Sequence, residues 1–410
     1  MPSYSEIYHN YLNLKKIFLF RKNIVKVTKC VWQYHDKKDE FDPLFEYFRY
    51  CENEAIRIGA ENNLTSKFNL YYHLYHKLRL DSQFYSKHVY GALECAASKL
   101  KLYKKTLKKK PSAKRPYIWK NHLILDSQSY RIKNNTIRIP IEPGKHIYIK
   151  LTDYICKKTN GTKLGNVTIT DDKIGISYSK EISEQKVTSF LGIDRNLDNV
   201  TAYDSNGSNT VHDLSKAQKI IASYSTVKSK FRRNDSRIRK KIFQKYGKLQ
   251  KNKVHDILHC TSKKIISKNS GIIMEDLKGI RKLYRRGNGQ GKKYRRKMNS
   301  WSFYELQQQI EYKARWLGLP VEYVKAYGTS SKCAMCGSKL VPEERRKMSC
   351  SICKSIVDRD VNAAHNILLR GARVVPDGAA GEAVMAELVE VNQQSVESMQ
   401  SSHVMGLIFL

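Results

Sequence analysis

Residues 329–371, TSSKCAMCGSKLVPEERRKMSCSICKSIVDRDVNAAHNILLRG, hold most of the information about the fold. This stretch contains two Cys-X-X-Cys pairs with 13 residues between them. Two pairs at this spacing place four thiolates at the corners of a tetrahedron, which is the geometry of structural Zn²⁺ sites. Gly337 suits the tight turn that follows the first pair. We therefore predict one structural zinc ion with no catalytic role, bound by Cys333, Cys336, Cys350 and Cys353.

Disulfide bonds are the competing interpretation of these four cysteines. The sequence shows no signal peptide, which predicts a reducing compartment in which disulfides are rare. The remaining cysteines have no ligand-like spacing, and we interpret them as core or incidental thiols: Cys30, Cys51, Cys95, Cys156 and Cys260.

Three acidic residues stand where buried segments end or begin. Asp194 closes the apolar run at 190–193, Glu275 closes a second run at 271–274, and Asp360 opens a helical pattern. Acids at such positions can converge on one edge of a sheet, where their oxygens would bind two Mg²⁺ ions. Taken singly, each acid has a simpler interpretation as a strand-end residue that faces water or, for Asp360, as a helix N-cap.

The chain has a large positive charge: 75 Lys and Arg against 38 Asp and Glu give a net charge of +37. Such a surplus makes a compact protein repel itself unless a polyanion neutralises it. The apolar runs at 17–20 and 406–410 are far shorter than the ~18 residues of a membrane-spanning helix. We therefore expect a nucleic-acid partner and no membrane association.

Basic residues cluster in three segments, at 99–110, 228–245 and 285–297. A solvated helix face normally mixes in acids, and these segments have few, which favours phosphate contact. The last of them is rich in glycine and has no apolar period, and we predict that it is a loop. The candidate nucleic-acid contacts are Lys104, Lys105, Lys108, Lys109, Arg232, Arg233, Arg237, Arg239, Lys240, Arg285, Arg286, Arg295 and Arg296.

The part of the chain before residue 190 combines strands with a helical block. Alternating apolar and basic residues predict a strand at 20–35, and the pattern turns helical from about residue 42 to residue 110. Two antiparallel hairpins follow, Thr136–Ile141 with His146–Leu151 and Val167–Thr170 with Lys173–Tyr178. We expect a small β-barrel or sheet that the early strand can join, with the helices as an insertion.

Four motifs in this order resemble the TnpB family of insertion-sequence proteins, which are related to type V CRISPR effectors. These motifs are FLGIDRN, GIIMEDLKG, the two cysteine pairs and DRDVNAAHNILLRG. The resemblance covers residues 190–371, and upstream it depends only on the order of strand, helical insertion and β-rich segment. Family members often have Gly two residues after the first Asp, where this chain has Asn196. Because Asn tolerates a left-handed backbone, we expect little effect.

The resemblance implies an α+β multidomain fold: a RuvC-like (RNase H-type) nuclease core with an inserted zinc ribbon, preceded by a β-barrel wedge domain with a helical insertion. The expected boundaries are 1–45 and 114–189 for the wedge, 46–113 for the helical recognition domain, 190–331 and 357–373 for the nuclease, 332–356 for the zinc ribbon, and 374–410 for a flexible tail.

The resemblance also implies an RNA-guided endonuclease that cuts double-stranded DNA with two Mg²⁺ ions. Asp194, Glu275 and Asp360 would be the catalytic acids. The implied partners are a guide RNA from the transposon end, target DNA with a short adjacent motif and a separate transposase, in the cytoplasm of a prokaryote at its nucleoid. Two alternatives stay open: a catalytically inactive RNA-guided DNA-binding regulator, and a transposase that performs strand transfer.

Overall fold

The computed structural model describes residues 24–80, 82–231, 236–266 and 269–372. The described residues fold as two units, Lys26–Glu181 and a second unit that covers residues 182–372 together with Ile24 and Val25. The predicted tail at 374–410 lies outside the described residues, as do Arg232 and Arg233. Within the described residues, no helix is both long enough and apolar enough to cross a membrane.

The first unit begins with strand β1 and a helical block. The elements are β1 (Ile24–Tyr34), α1 (Lys38–Glu61), α2 (Lys67–Arg79) and α3 (Lys87–Leu107). Helix α1 buries Phe41, Leu44, Phe45 and Phe48 completely. Their i, i+3, i+4, i+7 spacing places them on one face, which explains why this segment folds as a core helix.

The strands of the first unit form two sheets. They are β2 (Leu123–Leu125), β3 (Arg131–Lys133), β4 (Thr136–Glu142), β5 (Lys145–Lys150), β6 (Lys163–Ile169) and β7 (Lys173–Ser183), with helix α4 (Asp153–Thr159) between β5 and β6. One sheet has the order β1-β7-β6-β2 and the other β3-β4-β5. Both predicted hairpins are confirmed, and β1 joins the first sheet, so α1 to α3 are inserted between two of its strands.

The first unit contains two separate sheets, whereas we expected one small β-barrel or sheet. Helix α4 interrupts the chain between β5 and β6, so those strands are not joined by a hairpin and belong to different sheets. Within the described residues, both sheets of this unit therefore keep open edges instead of closing on each other.

The second unit is built on a five-stranded mixed sheet. Its elements are β8 (Phe190–Arg195), β9 (Asn199–Asp204), β10 (Asn209–Asp213), α5 (Ser215–Lys230), α6 (Ser236–Ile266), β11 (Gly271–Asp276), α7 (Lys292–Asn299), α8 (Phe303–Trp316), β12 (Val321–Lys325), β13 (Leu340–Pro342), β14 (Lys347–Cys350), β15 (Ile356–Asp358) and α9 (Arg359–Ala372). The strand order is β10-β9-β8-β11-β12, and β11 is parallel to both β8 and β12. Strands β13, β14 and β15 form a separate small sheet.

Helices cover both faces of the five-stranded sheet. On one face, Ile193 and Met274 pack in a core with residues of α6 and α8. On the other face, Ile273 packs against Ala364 and Leu368 of α9. Strands β8 and β11 are buried on both sides, which explains their continuous apolar runs.

The prediction of a loop across 285–297 is wrong in its second half, because 292–299 is helical. Met298 at the end of α7 is buried in a small cluster with Leu277, Trp301 and Phe303. Met298 is the buried residue of this basic helix. Because one buried residue produces no apolar repeat, the sequence pattern did not indicate a helix.

Candidate active site and cysteine cluster

Asp194 and Glu275 lie side by side on neighbouring parallel strands. Ile193 is paired with Met274 across β8 and β11, so the next residue of each strand is also adjacent. Because successive side chains alternate between faces, the two acids point away from the core that contains Ile193 and Met274. They therefore face the side of the sheet that α9 covers.

Asp360 reaches the same place from the first turn of α9. Its Oδ2 accepts a hydrogen bond from Asn199 Nδ2 at 3.3 Å. Asn196 Nδ2 in turn donates to Asn199 Oδ1 at 3.3 Å and to Asp194 Oδ2 at 2.8 Å. Two amides thus link the first and third acids.

Asp358, not Asp360, accepts the capping hydrogen bonds at the start of α9. Its Oδ1 accepts from the backbone N–H of Asp360 at 2.8 Å and of Val361 at 3.1 Å. The alternative interpretation of Asp360 as the N-cap is therefore wrong, and its carboxylate is available for another role.

The three acids are almost completely buried, with 8%, 9% and 8% exposure for Asp194, Glu275 and Asp360. Burial, reinforced by the charge of Glu275, raises the pKa of Asp194 to about 6. Burial also raises the pKa of Glu275, although a 2.5 Å hydrogen bond from Thr329 Oγ1 opposes the shift. Adjacent buried carboxylates of this kind gain from a bound cation.

Arg346 supplies the cation that contacts Asp360 in this structure. It lies between β13 and β14, and its Nη1 forms an ion pair with Asp360 Oδ2. In the sequence, Arg346 stands out only as a basic residue between the two cysteine pairs. No sequence signal predicts the pair, because the two residues lie on different elements.

Arg195 fixes the strand ends that present the acids. It is buried, and it donates to the backbone oxygen of Glu275 at 2.5 Å and to Gln307 Oε1 at 2.6 Å. A buried guanidinium with such partners joins β8, β11 and α8 at one point. Nothing in the sequence distinguishes Arg195 from the other basic residues of the chain.

Asn196 also has a role that the sequence comparison did not predict. It does not have a left-handed backbone, so tolerance of that conformation is not its contribution. Its amide donates to Asp194, as described above, and its backbone N–H donates to Asn199 O at 3.0 Å. The side chain that departs from the family pattern thus orients the first acid.

The four cysteines predicted to bind zinc come together. Their sulfur atoms all lie within 4.8 Å of one another. The two pairs have matching backbone geometry: Cys333 N–H donates to Ser338 O, and Cys350 N–H donates to Ser355 O. Gly337 and Lys354, each one residue after a pair, both have positive φ values of 76° and 57°. Two equivalent turns thus present one group of four thiols, the donor set that suits Zn²⁺.

Two asparagines of α9 hold the loop that carries the first cysteine pair. Asn362 Oδ1 accepts from Ala334 N–H at 2.9 Å, and its Nδ2 donates to Lys332 O at 2.8 Å. Asn366 Nδ2 also donates to Lys332 O at 2.8 Å and to Thr329 O at 2.8 Å. The helix that carries Asp360 therefore also positions the cysteine cluster.

The described candidate nucleic-acid residues are mostly solvent-exposed. Lys104, Lys105, Lys108 and Lys109 are exposed at the end of α3, in the first unit. Exposed residues of the second unit are Arg237, Arg239, Lys240, Arg285, Arg286 and Arg296, whereas Arg295 is half-buried and donates to Gln290 O.

Two family models match this chain. The Cas12f1-like TNB domain matches residues 303–367, which contain the four cysteines and Asp360. The uncharacterised MJ0013 family matches residues 44–140, which contain the helical block. A solved complex titled Cas12f1–sgRNA–target DNA is similar in fold, with a TM-score of 0.50, 15% identity and coverage of 80% of this chain and 82% of that one.

Curated relatives extend the similarity. TnpB-like protein MJ0751 of Methanocaldococcus jannaschii is 35% identical over 264 residues, or 60% of this chain and 94% of that protein. TnpB-like protein MJ1635 of the same organism is 22% identical across 94% of this chain and 89% of its own length. An Escherichia coli protein named "Putative RNA-guided DNA endonuclease InsQ" is 28% identical over 58% of this chain and 63% of its own length. At 35% identity over nearly the whole of MJ0751, the chain belongs to the TnpB family.

Proposed function

We propose that the chain is an RNA-guided endonuclease that cleaves double-stranded DNA, and that Asp194, Glu275 and Asp360 are its catalytic acids. The observation that carries the proposal is the convergence of these buried carboxylates at the ends of β8 and β11 and the start of α9. The name of InsQ and family membership give the substrate class. In this proposal the second unit is a RuvC-like, RNase H-type nuclease.

The donor set of the site fits Mg²⁺. All three charged groups are carboxylates, and hard oxygen ligands are those that Mg²⁺ prefers. Asp360 already attracts one cation, the guanidinium group of Arg346. Asp194, Glu275 and Asp360 would hold two Mg²⁺ ions, which supply an activated water and stabilise the leaving oxygen of the cleaved phosphodiester.

The chain's own groups would orient these ligands. Asn196 and Asn199 hold the carboxylates of Asp194 and Asp360 by hydrogen bonds, and Thr329 holds Glu275. Fixed ligands lower the cost of reorganisation when substrate binds. The four cysteines would bind one structural Zn²⁺ in a zinc ribbon that Asn362 and Asn366 attach to α9.

Base pairing with the guide would select the DNA, and the protein would bind mainly backbone and shape. The guide would be an RNA from the transposon end, and the target would have a short adjacent motif. The exposed Lys and Arg residues would then contact phosphates of guide and target. In this proposal the protein acts at the nucleoid, and a separate transposase moves the element.

The decisive experiment combines RNA sequencing with cleavage. The chain is expressed with its native flanking DNA, and the RNA that copurifies is sequenced. We expect one discrete RNA with a constant part followed by sequence from beyond the element. A plasmid matching that second part should then be cut in Mg²⁺. Heterogeneous cellular RNA and no guided cut would contradict the proposal.

Replacement of one acid separates cleavage from binding. Asp194→Ala should reduce cleavage below detection, because one metal ligand is lost, while guided DNA binding is retained. Asp198→Asn, which alters a half-buried acid paired with Lys297, should still cleave. Guided binding without cleavage by the wild-type protein would instead identify a regulator, and joined DNA products would identify a strand-transfer enzyme.

A further inference from the structure

A cluster of three different ligand types lies in the first unit, apart from the acids and the four cysteines. Glu52 on α1, Cys95 on α3 and His122 just before β2 each offer one ligand atom, and these atoms lie within 4.8 Å of one another. Glu52 is fully buried and Cys95 is 9% exposed. We infer that Glu52, Cys95 and His122 form a second metal site for a borderline divalent ion such as Zn²⁺.

One oxygen of Glu52 points to an additional ligand. Lys99 Nζ forms an ion pair with Oε1, whereas Oε2 accepts no hydrogen bond within the described residues. Burying a carboxylate oxygen that accepts no hydrogen bond costs free energy unless another group satisfies it. His122 Nε2 lies 3.0 Å from Oε2 without forming a hydrogen bond to it. This arrangement is expected of two ligands that flank one ion.

The histidine is oriented as a metal ligand would be. Its other ring nitrogen, Nδ1, lies 3.3 Å from Lys120 O, which can accept its proton. A hydrogen bond at one ring nitrogen leaves the lone pair on the other, and this is the usual arrangement around metal-bound histidine. Phe48 packs edge-on against the ring, with 5.6 Å between centroids, and limits its rotation.

Cys95 completes the donor set. Thiolate, imidazole and carboxylate are all ligands of Zn²⁺, whereas Mg²⁺ and Ca²⁺ prefer oxygen alone. Cys95 and Lys99 line a cavity of about 390 Å³, so this cavity reaches the cysteine of the proposed site. A bound ion would cross-link α1, α3 and the segment before β2. Asn53 already holds that segment. Its Oδ1 accepts from the backbone N–H of Ile118 at 2.8 Å, and its Nδ2 donates to the backbone oxygen of Ile118 at 3.1 Å.

The competing account is a simple ion pair between protonated His122 and Glu52. It would assign no role to Cys95, and it predicts no zinc beyond the ion bound by the four cysteines. Zinc content therefore distinguishes the two accounts, and it does so independently of nuclease activity.

The experiment measures zinc per chain in untagged, full-length protein. Protein made in zinc-supplemented medium is dialysed against zinc-free buffer and analysed by inductively coupled plasma mass spectrometry. We expect two zinc ions in the wild type and one in Cys95→Ser and His122→Gln. Cys156→Ser, a matched change at a half-buried thiol of the same unit, should keep two. One zinc in the wild type overturns the inference, as does a second, adventitious zinc that survives in both variants.

Cadmium substitution shows whether each variant keeps its fold. The ¹¹³Cd NMR spectrum of the wild type should contain one resonance from an all-sulfur site and one from a mixed sulfur, nitrogen and oxygen site. His122→Gln, at a partly exposed position that should tolerate substitution, is expected to lose only the mixed resonance. A wild-type spectrum with the all-sulfur resonance alone overturns the inference.

Discussion

At the scale of single residues, the proposed catalytic acids are held in an environment that opposes their charge. Asp194 and Glu275 are adjacent and buried, and the pKa of each is raised. A site of this kind stores unfavourable energy until a cation binds. Functional sites often carry such a stability cost.

Removing the charge of Asp194 should therefore stabilise the metal-free protein. The folded pKa of about 6 lies above the ordinary 3.8, so stability present below pH 4 is lost as the pH rises through 6. Asp194→Asn cannot ionise and should be more stable than wild type at pH 7.5, by up to about 3 kcal/mol. The gain should shrink toward pH 4.5. Urea unfolding in Mg²⁺-free buffer at both pH values measures the difference in the free energy of unfolding between the variant and the wild type.

The control for this prediction is Glu344→Gln, which removes a negative charge at an exposed position. It should change the free energy of unfolding little at either pH. An Asp194→Asn variant that is less stable than wild type at pH 7.5 would show that the ionised carboxylate is satisfied without metal.

Arg346 should compete with metal for Asp360. Removing it with Arg346→Gln frees one carboxylate oxygen, and an ion pair at a partly exposed position contributes up to about 1 kcal/mol. We expect the Mg²⁺ concentration for half-maximal cleavage to fall by about fivefold or less. A Mg²⁺ titration of cleavage measures this value.

The neighbouring variant Arg345→Gln provides the control, because Arg345 is exposed and its replacement removes the same charge. Its Mg²⁺ requirement should match that of the wild type. If Arg346→Gln needs more Mg²⁺ than wild type does, Arg346 positions Asp360 for metal and does not compete with it.

At the scale of elements, close contact between β8 and α9 determines where Asp360 lies. A Cβ atom at Gly192 would overlap the backbone oxygen of Ala364 and crowd Leu368. Only glycine lets the helix approach the strand this closely, so the GID sequence at 192–194 combines a packing requirement at Gly192 with a proposed catalytic acid at Asp194. The requirement follows from the approach of the helix, because Gly192 has no positive φ.

Gly192→Ala should push α9 away from the sheet. We expect a loss of about 1–3 kcal/mol in the free energy of unfolding, as for other overpacked cores. Guided cleavage should fall more than guided DNA binding, because Asp360 moves with α9. Urea unfolding, cleavage and binding assays on one preparation test both parts.

Gly247→Ala is the matched control in this case. Gly247 lies within α6, and an added Cβ meets open space. Alanine is the better helix former by about 1 kcal/mol, so this variant should be slightly more stable and fully active. Equal stability of Gly192→Ala and wild type would contradict the tight contact.

At the scale of the whole molecule, the net charge of +37 governs association with nucleic acid. Neutralising phosphates releases counterions, so affinity should fall steeply with salt. Most of the described candidate contact residues are exposed. A positive surface of this kind is expected to keep the protein bound to RNA in the cell.

Neutralising one basic segment should lower the salt dependence of RNA binding in proportion to the number of phosphate contacts that are lost. Replacing Lys104, Lys105, Lys108 and Lys109 by Gln removes up to four phosphate contacts, so the slope of log K against log salt should decrease in magnitude by up to about 3. Filter binding of the guide RNA at several salt concentrations measures the slope. The four-Arg variant keeps the charge and should keep the slope. A Gln variant with the wild-type slope would exclude this segment from the interface.

The sequence by itself determined the parts of this protein whose cause is local. The spacing of the cysteine pairs dictates two equivalent turns. The acids that directly follow apolar runs lie at strand ends because each apolar run forms a buried strand. The two hairpins of the first unit were also predictable, because each pairs two neighbouring strand patterns across a short turn. The two-sheet arrangement of the first unit and the helix at 292–299 were not predictable, because strand closure and a single apolar anchor depend on distant partners.

Only the tertiary structure decided which side chains meet. Arg346 with Asp360, Asn362 with the cysteine loop, and Glu52 with Cys95 and His122 are pairs or groups from different elements. No periodicity links such residues, since their proximity is set by how helices and strands pack. Cys95, which appeared incidental in the sequence, gains a candidate role for this reason alone: folding brings a buried carboxylate and an imidazole to its side.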